Sequence, residues 1–407
     1  MTTAPYPPTG SPADQAPVPL YTEEFAAAPH AAFAWMRQRF GALVPVELHP
    51  GVPATLVIGY HTALRILHDP VRFPADPRTW QTTVPADCPI LPMTGWRPNA
   101  LRNSGPAHER YRSANFAALD AVDLHQLRST VQRSAGALIT GLAGHGSADL
   151  VGQYALPLAF QVLNSLLGCP PRISAQVADG MAKVFDSEQD AKRGEMMISQ
   201  ALAALVTLKR AEPGDDITSR LIAHHTRLTD DELVHQLVTL YGAGIEPQTH
   251  LIANALRLIL TDERFAGSVI GGSLTVRDAL EEVLHRNPPL AQYCLSYPPL
   301  PVVIDGVLLP AHQPVIIGLA ACNDDPAVAG GQRAGNRSHL AFSAGPHACP
   351  ARTPAYVIAQ SAVELLIDAL PEMRLAVPTD QLRWRPGPFH RALASLPVQF
   401  PASVPVR

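Results

Sequence analysis

HLAFSAGPHACPAR, running from His339 to Arg352, is the stretch that decides how this chain is read. Phe342, Gly345, His347 and Cys349 stand in a loop punctuated by glycine and proline, directly ahead of a segment with helical periodicity. A cysteine at the start of a helix feels the positive end of the helix dipole, which favours its thiolate. Gly345 lets the backbone come close to something flat or bulky. His347 sets a hydrogen-bond donor or cation two residues before the sulfur. The remaining cysteines, Cys88, Cys169, Cys294 and Cys322, are widely spaced with no CxxC pair. That argues against a zinc site and a disulfide framework. Taken by itself, Cys349 is as well explained as a buried structural thiol as it is as a ligand.

The rest of the chain narrows the choice. It has 407 residues, 47% of them hydrophobic, enough for a sizeable core. A net charge of −4 carries no polybasic signal for nucleic acid, and no run of apolar residues is long enough to span a membrane. The N-terminus, MTTAPYPPTGSPADQAP, lacks the layout of a signal peptide, so residues 1–20 are expected to form a disordered Pro-rich arm on a cytoplasmic protein. Residues 43–60 read as a hairpin around Pro50-Gly51, and residues 300–319 as strands with Asp305-Gly306 as the turn. Between them the periodicity is helical, with helices expected near 61–69, 106–120, 122–144, 149–168, 173–186, 194–210, 214–226, 230–262 and 276–287, and another near 350–370. Helices dominate, and no βαβ alternation appears.

The 339–352 loop resembles the haem-binding loop of the cytochrome P-450 family, F-G-x-G-x-[HR]-x-C-x-[GA], and the resemblance extends from about Phe33 to Phe400 in family order. It implies a mainly α, triangular single domain over residues 21–407 with small β-sheets. It implies a haem b cofactor whose iron takes the Cys349 thiolate, with Phe342 shielding the sulfur, Gly345 allowing close approach and His347 reaching a propionate. Ser343 replaces the first glycine of the pattern. GPAHERYRSANFAAL, Gly105 to Leu119, matches a second family element, in which His108 and Arg112, one helical turn apart, hold a propionate.

Three departures mark an atypical member of the soluble bacterial class. The family's E-x-x-R helix reads Glu282-Val-Leu-His285 here, so the Arg that locks the proximal loop is absent, and His285 or Arg286 is expected to take over by single hydrogen bonds. A propionate-binding Arg of many bacterial members falls near Ser296. In the helix that crosses the distal face of the haem, LYGAGIEPQTHLIANAL keeps Ala243, Gly244 and Glu246 but puts Pro247 where the family has threonine. Pro247 cannot help hold dioxygen or its water. It frees the Ala243 carbonyl and should kink the helix, Glu246 remains a proton relay, and the glycines should make room over the iron.

The resemblance implies an oxygen-dependent monooxygenase or oxidative-coupling enzyme of secondary metabolism. Its substrate would be an apolar or aromatic small molecule or a peptide, with electrons from a ferredoxin and its reductase. Arg110, Arg333, Arg337 and Arg352 are candidates for docking an acidic ferredoxin. The weakened motifs support an alternative, a haem-binding protein with little turnover that acts by ligand or partner binding.

Overall fold

The computed structural model describes residues 16–186, 188–266, 274–328 and 336–402. The chain divides into two compact units interleaved in sequence. One holds the residues up to Trp96, Asn254–Cys349 and Val377–Leu396; the other holds Arg97–Ala253, Pro350–Ala376 and the residues from Pro397. Helices predominate, joined by small sheets, and among the described residues no helix is long and apolar enough to cross a membrane.

In the first unit, β-branched residues and leucine build a mixed five-stranded sheet in the order Val18–Pro19, Leu43–His49, Val52–Val57, Val315–Ile317, Tyr293–Ser296. The expected hairpin forms, with Gly51 at φ +75° in its turn. Phe33 and Met36, from the helix Pro29–Phe40, pack on Val44, Val46, Leu48 and Leu56 of the sheet. The strands Val302–Ile304 and Val307–Leu309 pair across Asp305-Gly306, both at positive φ, and the Asp305 carboxylate is held by Thr62 and by Arg65 at 2.7 Å. The expected disordered arm needs correction at its end. Val18 and Pro19 pair in parallel with Val46 and Glu47, the Leu20 N–H donates to the Glu47 carbonyl at 3.0 Å, and Leu20 is fully buried. An extended segment beside an open sheet edge satisfies its backbone there rather than in water. The rest of that arm, residues 1–15, lies outside the described residues.

The second unit is helical, with a three-stranded sheet of Ser147–Asp149, Pro397–Gln399 and Arg374–Leu375. Three helices differ most from their expected spans; the 194–210 segment runs from Glu188 to Ala211. The 149–168 segment starts as a wide π turn over Val151–Ala155 before the helix Leu156–Leu166. The 214–226 segment is only Ile217–Ala223; its start is fixed by Asp216, which accepts the Ser219 N–H at 2.8 Å and pairs with Lys209 at 2.7 Å.

The longest helix, Asp230–Thr261, begins in the capping box that its sequence announces: the Thr229 N–H donates to Glu232 at 2.8 Å and the Glu232 N–H to the Thr229 hydroxyl at 3.3 Å. Glu232 also receives Arg110 at 2.5 and 3.0 Å and the Tyr111 hydroxyl at 3.0 Å. Arg110 is thus engaged in a two-pronged ion pair. Burial pushes the Glu232 carboxyl up, but the Arg110, Thr229 and Tyr111 hydrogen bonds outweigh it and bring it down to about 2. A carboxylate depressed in the folded state contributes stability above its unfolded value of 4.5 and loses it as pH falls toward about 2. Glu232→Gln is therefore expected to lower stability at neutral pH and to flatten the acid loss across that window. Urea unfolding midpoints taken across that range check this, and an unchanged acid slope contradicts it.

Candidate active site

In the first unit the Cys349 loop is tied down by its own backbone. The Cys349 N–H donates to the Phe342 carbonyl at 2.8 Å, the Ala348 N–H to Gly345 at 3.1 Å, and the Ser343 N–H to Leu340 at 2.7 Å. Gly345 and Ser343 both have positive φ, +68° and +60°. A side chain on Gly345 would put its Cβ 2.2 Å from the Leu67 carbonyl oxygen, so glycine is required by close backbone approach as well as by conformation. Ser343 is the residue that replaces a family glycine, and it occupies a backbone region that costs an L-residue roughly 1–2 kcal/mol. Cys349 itself is exposed, whereas Cys88 and Cys322 are buried and Cys169 and Cys294 are half-buried. His347 and Phe342 are half-buried.

Asn323, which the sequence did not single out, anchors this loop. Its side chain donates to the Leu284 and His285 carbonyls at 3.1 Å each, and its Oδ1 accepts the Leu340 N–H at 2.8 Å. It thereby bridges the C-terminal turn of the helix Val276–Arg286 to the segment that leads into Cys349. Ser296 is buried in its strand, and its hydroxyl makes no hydrogen bond to any described residue.

The expected lock of Glu282 with His285 or Arg286 is arranged differently. The central carboxylate is Glu281, with Arg277 at 2.8 Å, His339 at 3.3 Å and Arg337 at 3.8 Å. Glu282 instead lies 3.7 Å from Arg264. His285 is buried, with Nε2 2.9 Å from the Asn336 carbonyl, and Arg286 is exposed near Asp262. The reason is helical phase: Arg277 and Glu281 stand four residues apart and share a face, whereas Glu282 is turned by about 100° from it. Arg333 lies outside the described residues, Arg337 is drawn to Glu281, and Arg352 stacks on the Tyr356 ring at 5.9 Å.

In the second unit His108 is buried in the helix Gly105–Asp120, with Arg112 half-buried one turn on. Burial, and then the Arg112 charge, pull the His108 imidazole below its ordinary value. A neutral ring at physiological pH donates one hydrogen bond and leaves the positive charge to Arg112.

The helix Asp230–Thr261 continues through Pro247. Regular turns on both sides compensate the one backbone hydrogen bond that proline removes. Gly242 and Ala243 are exposed and Glu246 and Pro247 half-buried, although Tyr241, Ile245, Gln248, Thr249 and His250 around them are buried. This mid-helix face is lined by small or polar groups. Gly244 does not belong to it as expected: a Cβ there would lie 3.1 Å from a Leu163 methyl, so this glycine makes room for the neighbouring helix. Thr249 is buried, with no hydrogen bond from its hydroxyl to any described residue. His250, one turn beyond Glu246, brings Nε2 to 3.8 Å from the Glu246 carboxylate. The four-residue spacing of these two was the available signal. Of the aromatic and methionine side chains that could line a pocket, Trp80 is buried against Tyr297, whereas Met93 and Trp96 are 42% and 36% exposed.

No protein-family model matches the chain. Individual proteins do. It is 30% identical over 391 residues to the cytochrome P450 monooxygenase PikC of Streptomyces venezuelae, covering 93% of this chain and 92% of that one. It is 29% identical over 399 residues to the vitamin D(3) 25-hydroxylase of Pseudonocardia autotrophica, covering 93% and 95%. Its fold is similar to that of CYP154C4 from Streptomyces sp. W2061, with a TM-score of 0.85, 26% identity and coverage of 94% and 98%.

Proposed function

The chain belongs to the cytochrome P450 family, and on that footing we propose that it is a monooxygenase that oxidises an apolar small molecule with Cys349 as its haem ligand and Glu246 as its proton-handling group. Members of the family hold haem b through an axial cysteine thiolate, and bacterial members generally draw electrons from a ferredoxin and its reductase. For this chain a ferredoxin is the proposed donor. One relative is named as a vitamin D(3) 25-hydroxylase, which acts on an apolar small molecule, and that is the substrate class proposed here.

The residues present fit the cofactor. Cys349 is an exposed sulfur on a loop whose backbone is already paired, Gly345 closes directly on Leu67, and Ser296 offers a buried hydroxyl with bonding capacity left. When bound, haem b supplies the iron on which dioxygen is activated, and its thiolate ligand favours O–O cleavage. Cys349 would hold the iron, Phe342 would cover the sulfur, and His347, Ser296, His108 and Arg112 would take the two carboxylates, with Arg112 supplying charge and the others single hydrogen bonds. Ala243 keeps its helix face low, and Pro247 leaves the Ala243 carbonyl without its intrahelical partner, able to accept from water. Glu246 holds or passes a proton at its carboxylate, with His250 Nε2 beside it at 3.8 Å.

The observation that carries this reading is the placement of Glu246 on the open mid-helix face while the nearest hydroxyl, Thr249, is buried. An acid without an accompanying alcohol should deliver protons less selectively. Product formed per NADPH consumed, with a ferredoxin system, is therefore expected to be low in the native protein and higher in Pro247→Thr. Tight coupling in the native protein with no gain in the variant would sink the assignment. Ready reduction with no product from a broad substrate panel would instead favour a binding role.

A further inference from the structure

His339 is buried, with a side chain only 1% exposed, and it touches both the helix Val276–Arg286 and the cysteine loop. Its Nδ1 accepts the Ala341 N–H at 3.3 Å, so that nitrogen carries the lone pair and Nε2 carries the hydrogen. Nε2 faces the Glu281 carboxylate at 3.3 Å, an electrostatic contact from the positive edge of the ring. The ring also meets His285 edge-on at 5.1 Å and lies 6.0 Å from the Phe342 ring. Beyond Ala341 the path continues in the backbone: Phe342 follows, and its carbonyl accepts the Cys349 N–H at 2.8 Å. A polar chain therefore runs from Arg277 and Arg337 through Glu281 and His339 to the amide of Cys349.

We propose that His339 is a positioning residue for Cys349, coupling Glu281 to the cysteine loop where the helix lacks the arginine that would otherwise clamp it. The arginine position is His285, whose Nε2 is directed to the Asn336 carbonyl at 2.9 Å rather than to a carboxylate. His339 supplies the missing link because its two nitrogens face opposite ways, one toward the carboxylate and one toward the loop. The Glu281 carboxylate stands beside the Nε2 edge of the ring as a neighbouring charge. This role rests on Cys349 being the haem ligand.

Three substitutions separate the parts. Gln can accept from Ala341 with its oxygen and face Glu281 with its nitrogen. Asn can accept from Ala341 but is too short to reach Glu281, and Leu can do neither. In the haem-loaded proteins, the reduced carbon-monoxide difference spectrum reports the fraction with an intact thiolate, and transfer of haem to apomyoglobin reports retention. His339→Leu is expected to lose haem about 10- to 100-fold faster and to shift from the thiolate band to the inactive band. His339→Asn should behave like Leu, and His339→Gln should stay within about threefold of the native protein on the same scale. Deuterium exchange at the Cys349 amide should accelerate in Leu and Asn and not in Gln. Equal behaviour of Gln and Asn overturns the proposal even if the Leu variant fails to fold, as does an unchanged spectrum and exchange in Leu. Failure of the ligand assignment is distinguishable, because then the native protein itself shows no thiolate band.

Discussion

Replacing Cys349 by alanine is expected to abolish the thiolate band of the reduced carbon-monoxide difference spectrum while leaving the far-ultraviolet helical signal in place. The effect should be complete because no other cysteine is equipped to substitute. Burial drives the Cys322 thiol far above its ordinary value, and it also raises Cys169. Cys88 is buried in the core beneath the sheet, and Cys294 is fixed in a strand. A thiol that resists ionisation is a poor ligand for iron. Cys349 combines exposure with a backbone N–H already paired to the Phe342 carbonyl. Persistence of the thiolate band in Cys349→Ala would refute the ligand assignment outright.

Gly345→Ala is expected to produce nearly as large a defect by a different route. The added carbon would sit 2.2 Å from the Leu67 carbonyl oxygen, far inside any allowed contact. That atom is backbone at the end of a helix, so relief must come from moving the cysteine loop. The φ of +68° adds roughly 1–2 kcal/mol of conformational cost for any L-residue. Haem retention should fall by about 10- to 100-fold, the range for losing a group that orients a metal ligand. Ser343→Gly provides the opposite sign in the same loop. Serine holds φ +60° there at a cost that glycine does not bear, so this change should raise the thermal midpoint of the haem-loaded protein. A lower midpoint in Ser343→Gly would mean that its hydroxyl, 3.4 Å from the Ala344 carbonyl, matters more than the strain.

The fold was legible because its signals are local. The capping box at Thr229, the Asp305-Gly306 turn and the apolar stripe of the long helix each depend on residues within a few positions of one another. The family motif around Cys349 is equally local. What the sequence concealed depends on phase and distance. Glu281 and Glu282 are adjacent and chemically identical, and only the direction in which the helix packs selects the first for Arg277, Arg337 and His339. Asn323 gains its role from contacts with residues 17 and 39 positions away, which no spacing rule reaches. Gly244 looked like clearance for a ligand, and the side chain that needs the space is Leu163 on another helix. The helix over 230–262 was legible despite Pro247, because its apolar stripe continues on both sides.

The pairing of Val18 and Pro19 with Val46 and Glu47 carries a consequence for self-association. This two-residue segment covers the outer edge of the strand Leu43–His49. Being short and ending in proline, it offers almost no template to another molecule. Trimming the chain past Leu20 would uncover a longer strand rich in valine and leucine, with its N–H and C=O groups unpaired. Such an edge invites edge-to-edge pairing between copies. Val18 and Pro19 therefore act as a guard against aggregation, and shortened versions of the protein should be designed to keep them.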